Sequence, residues 1–218
     1  MPFHQTLSAL LSPSTHVYTD EGGQTVPEIV PRWEWRTFGD HFGVAETTFA
    51  ALSPERLQES DELYLLSVEG TDAVKLRDEL MDVKHLEQVN GDGLEQWMPV
   101  MKAAFPLSAA DISSVLLALN VDAPAPAARA TYTVAELLDE VVRPNPDLLA
   151  VEVHKRRARY TIGGCMAELT DVRTGSASTR TIAIESDDAT RVIAAVREVG
   201  LASRPNVSFA RGLKALIR

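Results

Sequence analysis

The stretch that decides the fold runs from Leu148 to Ser186 and reads LLAVEVHKRRARYTIGGCMAELTDVRTGSASTRTIAIES. Within it, Lys155, Arg157 and Arg159 are spaced two apart and lie between segments rich in β-favouring residues. Because side chains alternate across a strand, the three cations would share one face. Cations in such a row repel one another, so the pattern predicts anions opposite them.

The segments that follow bring carboxylates to this face. The next predicted strand, residues 166–172, contains Glu168, and the one after it, residues 179–185, ends in Glu185. A face of arginine, lysine and glutamate is the composition expected of a site for a polyanion with a divalent metal. An exposed antiparallel face with cross-strand salt bridges has the same composition, and these residues alone favour that second interpretation.

Composition limits the class of protein. With 218 residues, 45% of them hydrophobic, the chain predicts one globular domain at 28–218 after an N-terminal extension at 1–27. The net charge of −10 argues against general nucleic-acid binding. The single cysteine, Cys165, excludes an intramolecular disulfide and a multi-cysteine zinc site. Without a long apolar run or a signal-peptide pattern, we expect a cytoplasmic protein without a membrane span.

Charged faces recur along the rest of the chain. They carry Arg32, Glu34 and Arg36, then Lys75 and Arg77, then Lys84, then Glu95. Helical patterns lie between the strands at about 43–52, 112–119, 133–142, 187–199 and 206–217. We therefore expect an α+β fold, an antiparallel barrel of about eight strands, closed or nearly closed, with peripheral helices. The charged faces would line a shared polar interior, or else one sheet would have its polar side in water.

Several local features give testable expectations. Asn90-Gly91-Asp92-Gly93 predicts a hairpin turn, and Pro99 predicts a bulge or an edge in the returning strand. Residues 73–80 are expected to form one strand, and residues 54–58 a turn or short helix. Trp33 and Trp35 alternate with the charged face, which favours packing between barrel and helices. Arg211 and Lys214 on the last helix could reach the mouth of the barrel, but a solvated helix face is the favoured assignment.

Taken together, these segments resemble the CYTH family, also called the triphosphate tunnel metalloenzymes, from about Glu28 to Leu216. The family is named for adenylyl cyclase and thiamine triphosphatase members. The resemblance is carried by Arg-Trp-Glu-Trp-Arg at 32–36, Val-Lys-Leu-Arg at 74–77, Val-His-Lys-Arg-Arg-Ala-Arg-Tyr at 153–160, Ala-Glu-Leu-Thr-Asp-Val at 167–172, and Thr-Ile-Ala-Ile-Glu at 181–185. The order of these basic and acidic strands, with a helix after the last, is its specific part.

The resemblance implies an eight-stranded antiparallel tunnel that binds a triphosphate-containing small molecule and hydrolyses a phosphoanhydride. The substrate would be inorganic triphosphate, polyphosphate, thiamine triphosphate or a nucleoside triphosphate. The implied phosphate-binding residues are Arg32, Arg36, Lys75, Arg77, Lys84, Lys155 and Arg157. The implied catalytic residues are Glu34 and Glu185, and the implied ligands of Mg²⁺ or Mn²⁺ are Glu34, Glu168, Asp171 and Glu185. Asp171 has the opposite parity to Glu168, so it would point to the other face.

Two departures from the family pattern leave alternatives open. Arg32 stands where the family has the first glutamate of its opening strand, and Ala183 stands where it has the first glutamate of a later pair. One metal is compatible with the remaining carboxylates, because Mg²⁺ takes further ligands from phosphate and water. The alternatives to an enzyme are a non-catalytic module that binds triphosphate, polyphosphate or a nucleotide, and a structural domain whose charges pair among themselves.

Overall fold

The computed structural model describes residues 29–121 and 129–218, and the backbone of two short strands, β1 (Val17–Thr19) and β2 (Thr25–Pro27). Contacts divide the chain into the units Met1–Val30 and Pro31–Arg218. In the first unit, β1 and β2 pair antiparallel. The rest of the predicted extension at 1–27 lies outside the described residues, and the predicted domain boundary stays a prediction.

In the second unit, eight strands form one closed antiparallel ring, and two further strands form a separate short pair. The strands are β3 (Arg32–Gly39), β4 (Arg56–Ser67), β5 (Ala73–Arg77), β6 (Leu80–Val89), β7 (Glu95–Ala104), β8 (Leu107–Ser108), β9 (Thr131–Tyr132), β10 (Leu148–Ile162), β11 (Cys165–Thr174) and β12 (Ala177–Ser186). The ring order is β10-β11-β12-β3-β7-β6-β5-β4, and β4 pairs back onto β10. The expected α+β barrel is therefore confirmed.

Helices flank the ring. They are α1 (Val44–Ala51), α2 (Ala109–Ala118), α3 (Val134–Glu136), which continues as a π-helical turn (Leu137–Val142), α4 (Ala189–Glu198) and α5 (Phe209–Leu216). Capping boxes begin α2 at Ser108 and α3 at Thr133, and each satisfies backbone N–H groups that have no partner inside the helix. No helix in the described parts of the chain is both long and apolar enough to cross a membrane.

Two apolar layers fix the outer face of the ring. Helices α1 and α4 pack on β3, β11 and β12 around Trp35 and Ile184, with Trp33 partly buried beside them. Helix α2 and the π-helical turn pack on β4, β5 and β6 around Leu65 and Met81. The predicted packing role of the two tryptophans is confirmed. Because side chains alternate, burial of these residues outside directs their neighbours into the ring.

Helix α5 enters one end of the ring instead of covering its outside. Phe209 and Leu213 pack against Tyr64, Val153 and Val172, which point inward from β4, β10 and β11. At Gly212, an added Cβ would lie 2.2 Å from the ring of Phe38, so glycine permits the close approach of this helix. The apolar side of α5 thereby closes this end of the interior.

The local expectations had mixed outcomes. Strand β4 already begins at Arg56, so the turn or helix expected at 54–58 is wrong. The single strand expected at 73–80 is divided by a turn at Asp78 and Glu79, which have φ values of 53° and 59°. This turn lacks the glycine that usually marks positive φ, which explains why the sequence gave no signal. The bulge expected at Pro99 is confirmed, since the β6–β7 register shifts at Lys84, opposite Pro99.

Candidate functional site

Four cations converge on one buried carboxylate inside the ring. We call Lys75, Arg77, Lys155 and Arg157 the cation cluster. The carboxylate is that of Glu62, on β4, whose side chain is 0% exposed. Its oxygens lie 3.1 Å from Lys155 Nζ, 3.6 Å from Lys75 Nζ and 3.4 Å from Arg77 Nη1, and Arg157 Nη2 donates to Oε1. The cations are spaced two residues apart along their strands, so they share the inner face and point to one place, as the sequence predicts.

Aromatic side chains hold Lys155 in this position. Its ammonium group donates to Tyr64 Oη at 2.6 Å and lies 3.5 Å from the centre of the Phe209 ring. Tyr64 in turn donates to Glu62 Oε2 at 3.0 Å and stacks on Phe209. Attraction between a cation and an aromatic face strengthens when the cation is desolvated. Helix α5 therefore contributes directly to the placement of the cation cluster.

The electrostatics of the cluster favour an anion at the position of Glu62. Burial alone would raise the pKa of Glu62, but the charges of Lys155, Lys75 and Arg157 outweigh it and hold this pKa far below its usual value. Burial lowers the pKa of Lys155 well below normal, against the attraction of Glu62, and the like charges of Lys75 and Arg157 lower it further. Another anion beside Lys155 would favour its charged form.

A row of carboxylates crosses three other strands. The backbone register places Glu185 of β12 opposite Glu34 of β3, and Glu34 opposite Glu95 of β7. We call Glu34, Glu95 and Glu185 the acidic row. Each member has an arginine partner. The pairs are Arg36 Nε with Glu34 Oε1 at 2.8 Å, Arg32 Nη1 with Glu185 Oε1 at 3.6 Å, and Arg211 Nη2 with Glu95 Oε1.

Glu168 of β11 links the acidic row to the cation cluster. Its oxygens lie 3.9 Å from both Arg36 and Arg157 and 3.7 Å from Arg159, and it accepts a 2.8 Å hydrogen bond from the Thr170 hydroxyl. Burial would raise the pKa of Glu168, but the charges of Arg36 and Arg157 outweigh it and lower the pKa. Every interior carboxylate described so far therefore lies within ion-pair distance of a guanidinium or ammonium group.

The structure brings most of the predicted site residues together. Lys84 lies on β6, which stands between β5 of the cation cluster and β7 of the acidic row, and its charge acts on both Glu34 and Lys75. The other predicted site residues that point inward belong to the cation cluster or to the acidic row, or are Glu168, Arg32 and Arg36. Asp171 is the exception, because its side chain is 51% exposed on the outer face, 3.6 Å from Arg180. Its parity with respect to Glu168 explains this placement.

Sequence reasoning missed four residues that belong to the site. Glu62 and Tyr64 lie on β4, whose alternation of Ser60, Glu62 and Tyr64 on one face was the available signal. Glu95 had been noticed only as part of a charged face. Arg211 was expected in solvent, but it reaches Glu95 from α5. Nothing in the sequence indicates that α5 enters the ring.

The donor set fits one divalent ion that shares its coordination with phosphate oxygens. Within the residues that the structure describes, no three His, Cys, Asp or Glu side chains form a group that could hold a metal. Glu34 and Glu168 nevertheless share Arg36, at 2.8 Å and 3.9 Å, and Glu168 also lies 3.9 Å from Arg157, so two carboxylates lie close to the cation cluster. Mg²⁺ and Mn²⁺ commonly take one or two carboxylates and complete their shell with water and phosphate. A pair of resident ions would need more carboxylates, and the described residues bring no third one to the same place.

A closed ring of eight antiparallel strands with inward lysine, arginine and glutamate is the architecture that the resemblance implies. This chain has that fold. The expectation of a closed antiparallel ring with a charged interior is confirmed by the strand order and the inward charges of this chain.

The fold of this chain is similar to that of three solved structures. A candidate adenylate cyclase from Bacillus halodurans is 11% identical, with a TM-score of 0.48, over 87% of this chain and 100% of its own. A candidate adenylyl cyclase from Hippeastrum, described as having a dominant triphosphatase activity, is 13% identical, with a TM-score of 0.41, over 78% and 88%. A Pyrococcus horikoshii protein is 15% identical, with a TM-score of 0.45, over 78% and 90%. No family model and no curated protein sequence matches the chain.

Proposed function

We propose that the tunnel binds the triphosphate part of a small molecule and hydrolyses a phosphoanhydride bond in it. The observation that carries this proposal is the convergence of Lys75, Arg77, Lys155 and Arg157 on one buried position. Two arginines in this group present several N–H donors to phosphate oxygens, and the lysines add compact charges. Inorganic triphosphate, polyphosphate, thiamine triphosphate and nucleoside triphosphates all carry the chain of oxygens that such a cluster recognises.

The protein side chains would act mainly through position and charge. The cation cluster and Lys84 would hold the phosphate chain and stabilise negative charge that develops on the leaving oxygen. Glu34 and Glu168, with Glu185 beyond them, would hold Mg²⁺ or Mn²⁺, which neutralises phosphate charge when bound. Phosphoryl transfer depends largely on such positioning and electrostatic stabilisation, so a water in line with the terminal phosphorus does not require a strong base.

A second candidate is triphosphate binding without hydrolysis. It is favoured by the arginine partner of each carboxylate in the acidic row, most directly by Arg32 beside Glu185. An arginine there neutralises a carboxylate that would otherwise attract a metal, and Ala183 provides no carboxylate to replace it. The tunnel would then hold its ligand as a store or as a signal.

Phosphate release from inorganic triphosphate, with Mg²⁺ and then with Mn²⁺, tests the two candidates. The variant Glu34→Gln removes an inward carboxylate, and Glu198→Gln, which changes an exposed carboxylate on α4, is the matched control. Release that needs metal, is lost in Glu34→Gln and persists in Glu198→Gln supports hydrolysis. Triphosphate that raises the melting temperature without phosphate release supports binding alone. If neither occurs, the proposal is wrong.

A further inference from the structure

Glu62 occupies the place that the cation cluster offers to an anion. Its carboxylate contacts all four cations of the cluster, and it also accepts hydrogen bonds from Tyr64 and Ser60. Glu62 lies on β4, whereas the acidic row lies on β3, β7 and β12. Glu62 is therefore not part of that row, and its position and burial have a separate cause. The motifs of the sequence do not include it.

The chemistry of a carboxylate at this point resembles that of a phosphate. Both present oxygens to the same ammonium and guanidinium donors, but the carboxylate carries only one negative charge against four positive ones. A phosphate chain carries more charge and reaches further cations, such as Lys84. A cavity of about 650 Å³, lined among others by Glu62, Arg77 and Val153, lies beside the cluster. Space therefore adjoins Arg77, one of the partners of the carboxylate.

We propose that Glu62 is a built-in counter-ion that holds the inner phosphate position of the tunnel and must yield it to the ligand. This inference rests on the proposed function and adds a device that sets which anions bind. A single phosphate has little to gain from replacing a carboxylate that already contacts the four cations. A triphosphate replaces it and gains further contacts, so Glu62 restricts the tunnel to long polyanions.

Isothermal titration in metal-free buffer tests the inference, with orthophosphate and inorganic triphosphate as the probes. Removing the charge in Glu62→Gln should tighten the binding of both anions by about tenfold or more, because one unit of repulsion and competition disappears. Orthophosphate should change from weak to readily measurable binding. Glu198→Gln, which changes an exposed glutamate on α4, is the control and should bind as the wild type does.

The outcomes separate this inference from the proposed function. Suppose that the wild type binds triphosphate, and that Glu62→Gln binds both anions only as tightly as the wild type does or more weakly. Glu62 then only orients the cations, and the inference is wrong while the proposed function stands. If neither the wild type nor Glu62→Gln binds triphosphate, the proposed function is wrong, and the inference with it.

A second pair of variants covers a failure to fold, because Glu62→Gln leaves four buried cations without their carboxylate. Glu62→Gln in an Arg77→Gln background removes one charge of each sign, and it should bind orthophosphate more tightly than Arg77→Gln alone. If a phosphate takes the place of Glu62, triphosphate should also restore folding of an unstable variant. Variants that stay unfolded in saturating triphosphate would overturn the inference, since no anion would then replace the carboxylate.

Discussion

Arg157 and Arg156 are neighbours in sequence but lie on opposite faces of β10, which makes them a matched pair. Arg157 points inward with 4% of its side chain exposed and contacts both Glu62 and Glu168, whereas Arg156 is exposed. Replacing Arg157 by methionine keeps much of the side-chain volume and removes the charge. It also leaves Glu62 and Glu168 with one cation fewer, so both would repel a phosphate more strongly.

The magnitude follows from the burial of this contact. Truncating one partner of a buried, hydrogen-bonded charge pair costs about 2–5 kcal/mol. Part of this loss is offset because Lys75, Arg77 and Lys155 remain around the same position. We therefore expect Arg157→Met to weaken triphosphate binding by about 2–3 kcal/mol, or about 30- to 150-fold in Kd. Arg156→Met, which removes an exposed charge, should change Kd by about threefold or less.

Isothermal titration with inorganic triphosphate measures both values, and circular dichroism melting confirms that each variant is folded. Equal losses in the two variants would indicate a general effect of net charge. An unchanged Kd in folded Arg157→Met would refute the assignment of the cluster as the phosphate site. Either result would indicate that the inward charges act only as structural salt bridges.

Three further predictions follow from the same contacts. Phe209→Ala should lower the free energy of unfolding by about 3–5 kcal/mol, since it opens a cavity in the closed end of the ring; a denaturant titration showing a loss below about 1 kcal/mol would contradict this. The pKa values of Glu62 and Glu168 are lower in the folded protein than the usual 4.5, so their stabilisation is complete above that pH and is lost as the pH falls. Melting temperature should therefore drop between about pH 5 and pH 3, and less steeply in Glu62→Gln. Asp171→Asn should leave the metal dependence of any phosphate release unchanged, because Asp171 lies outside beside Arg180; a shift in the metal titration would contradict that placement.

The inward charges could be predicted from the sequence because a strand has a strict period of two. On β10, Lys155 and Arg157 share a face whichever strands are their neighbours, and the same argument placed Lys75 with Arg77. Parity also placed Asp171 away from Glu168. The period of two does not show whether such faces line the inside of a ring or the solvent-exposed side of a single sheet. The alternating antiparallel strands suggested a closed or nearly closed barrel, and the resemblance to a family added a tunnel of eight strands.

Glu62 could not be predicted, because its role depends on which strands pair. The β4–β10 ladder joins segments about ninety residues apart, with Val153 opposite Glu62 and Ser60 opposite Lys155. No local pattern encodes that pairing. Pro54 also suggested a turn just before the first residue of β4, so the first residues of this strand were not recognised as part of its alternating pattern. Arg211 was missed for a related reason, since helix amphipathicity shows an apolar face but not where it docks.

The pairing of charges inside the tunnel accounts for its stability and for the way in which it would accept a ligand. An unpaired buried charge is costly, so Glu62 among its cations and Glu34 beside Arg36 keep the interior neutralised. A triphosphate that carries a divalent ion is itself a set of ion pairs. Its oxygens would replace Glu62 on Lys75 and Lys155, and its metal would give Glu34 a second cation beside Arg36. Binding would then exchange partners without leaving a charge unpaired. A ligand with only one sign of charge lacks half of this exchange, so triphosphate should bind more tightly with Mg²⁺ than without it if Glu34 faces the metal.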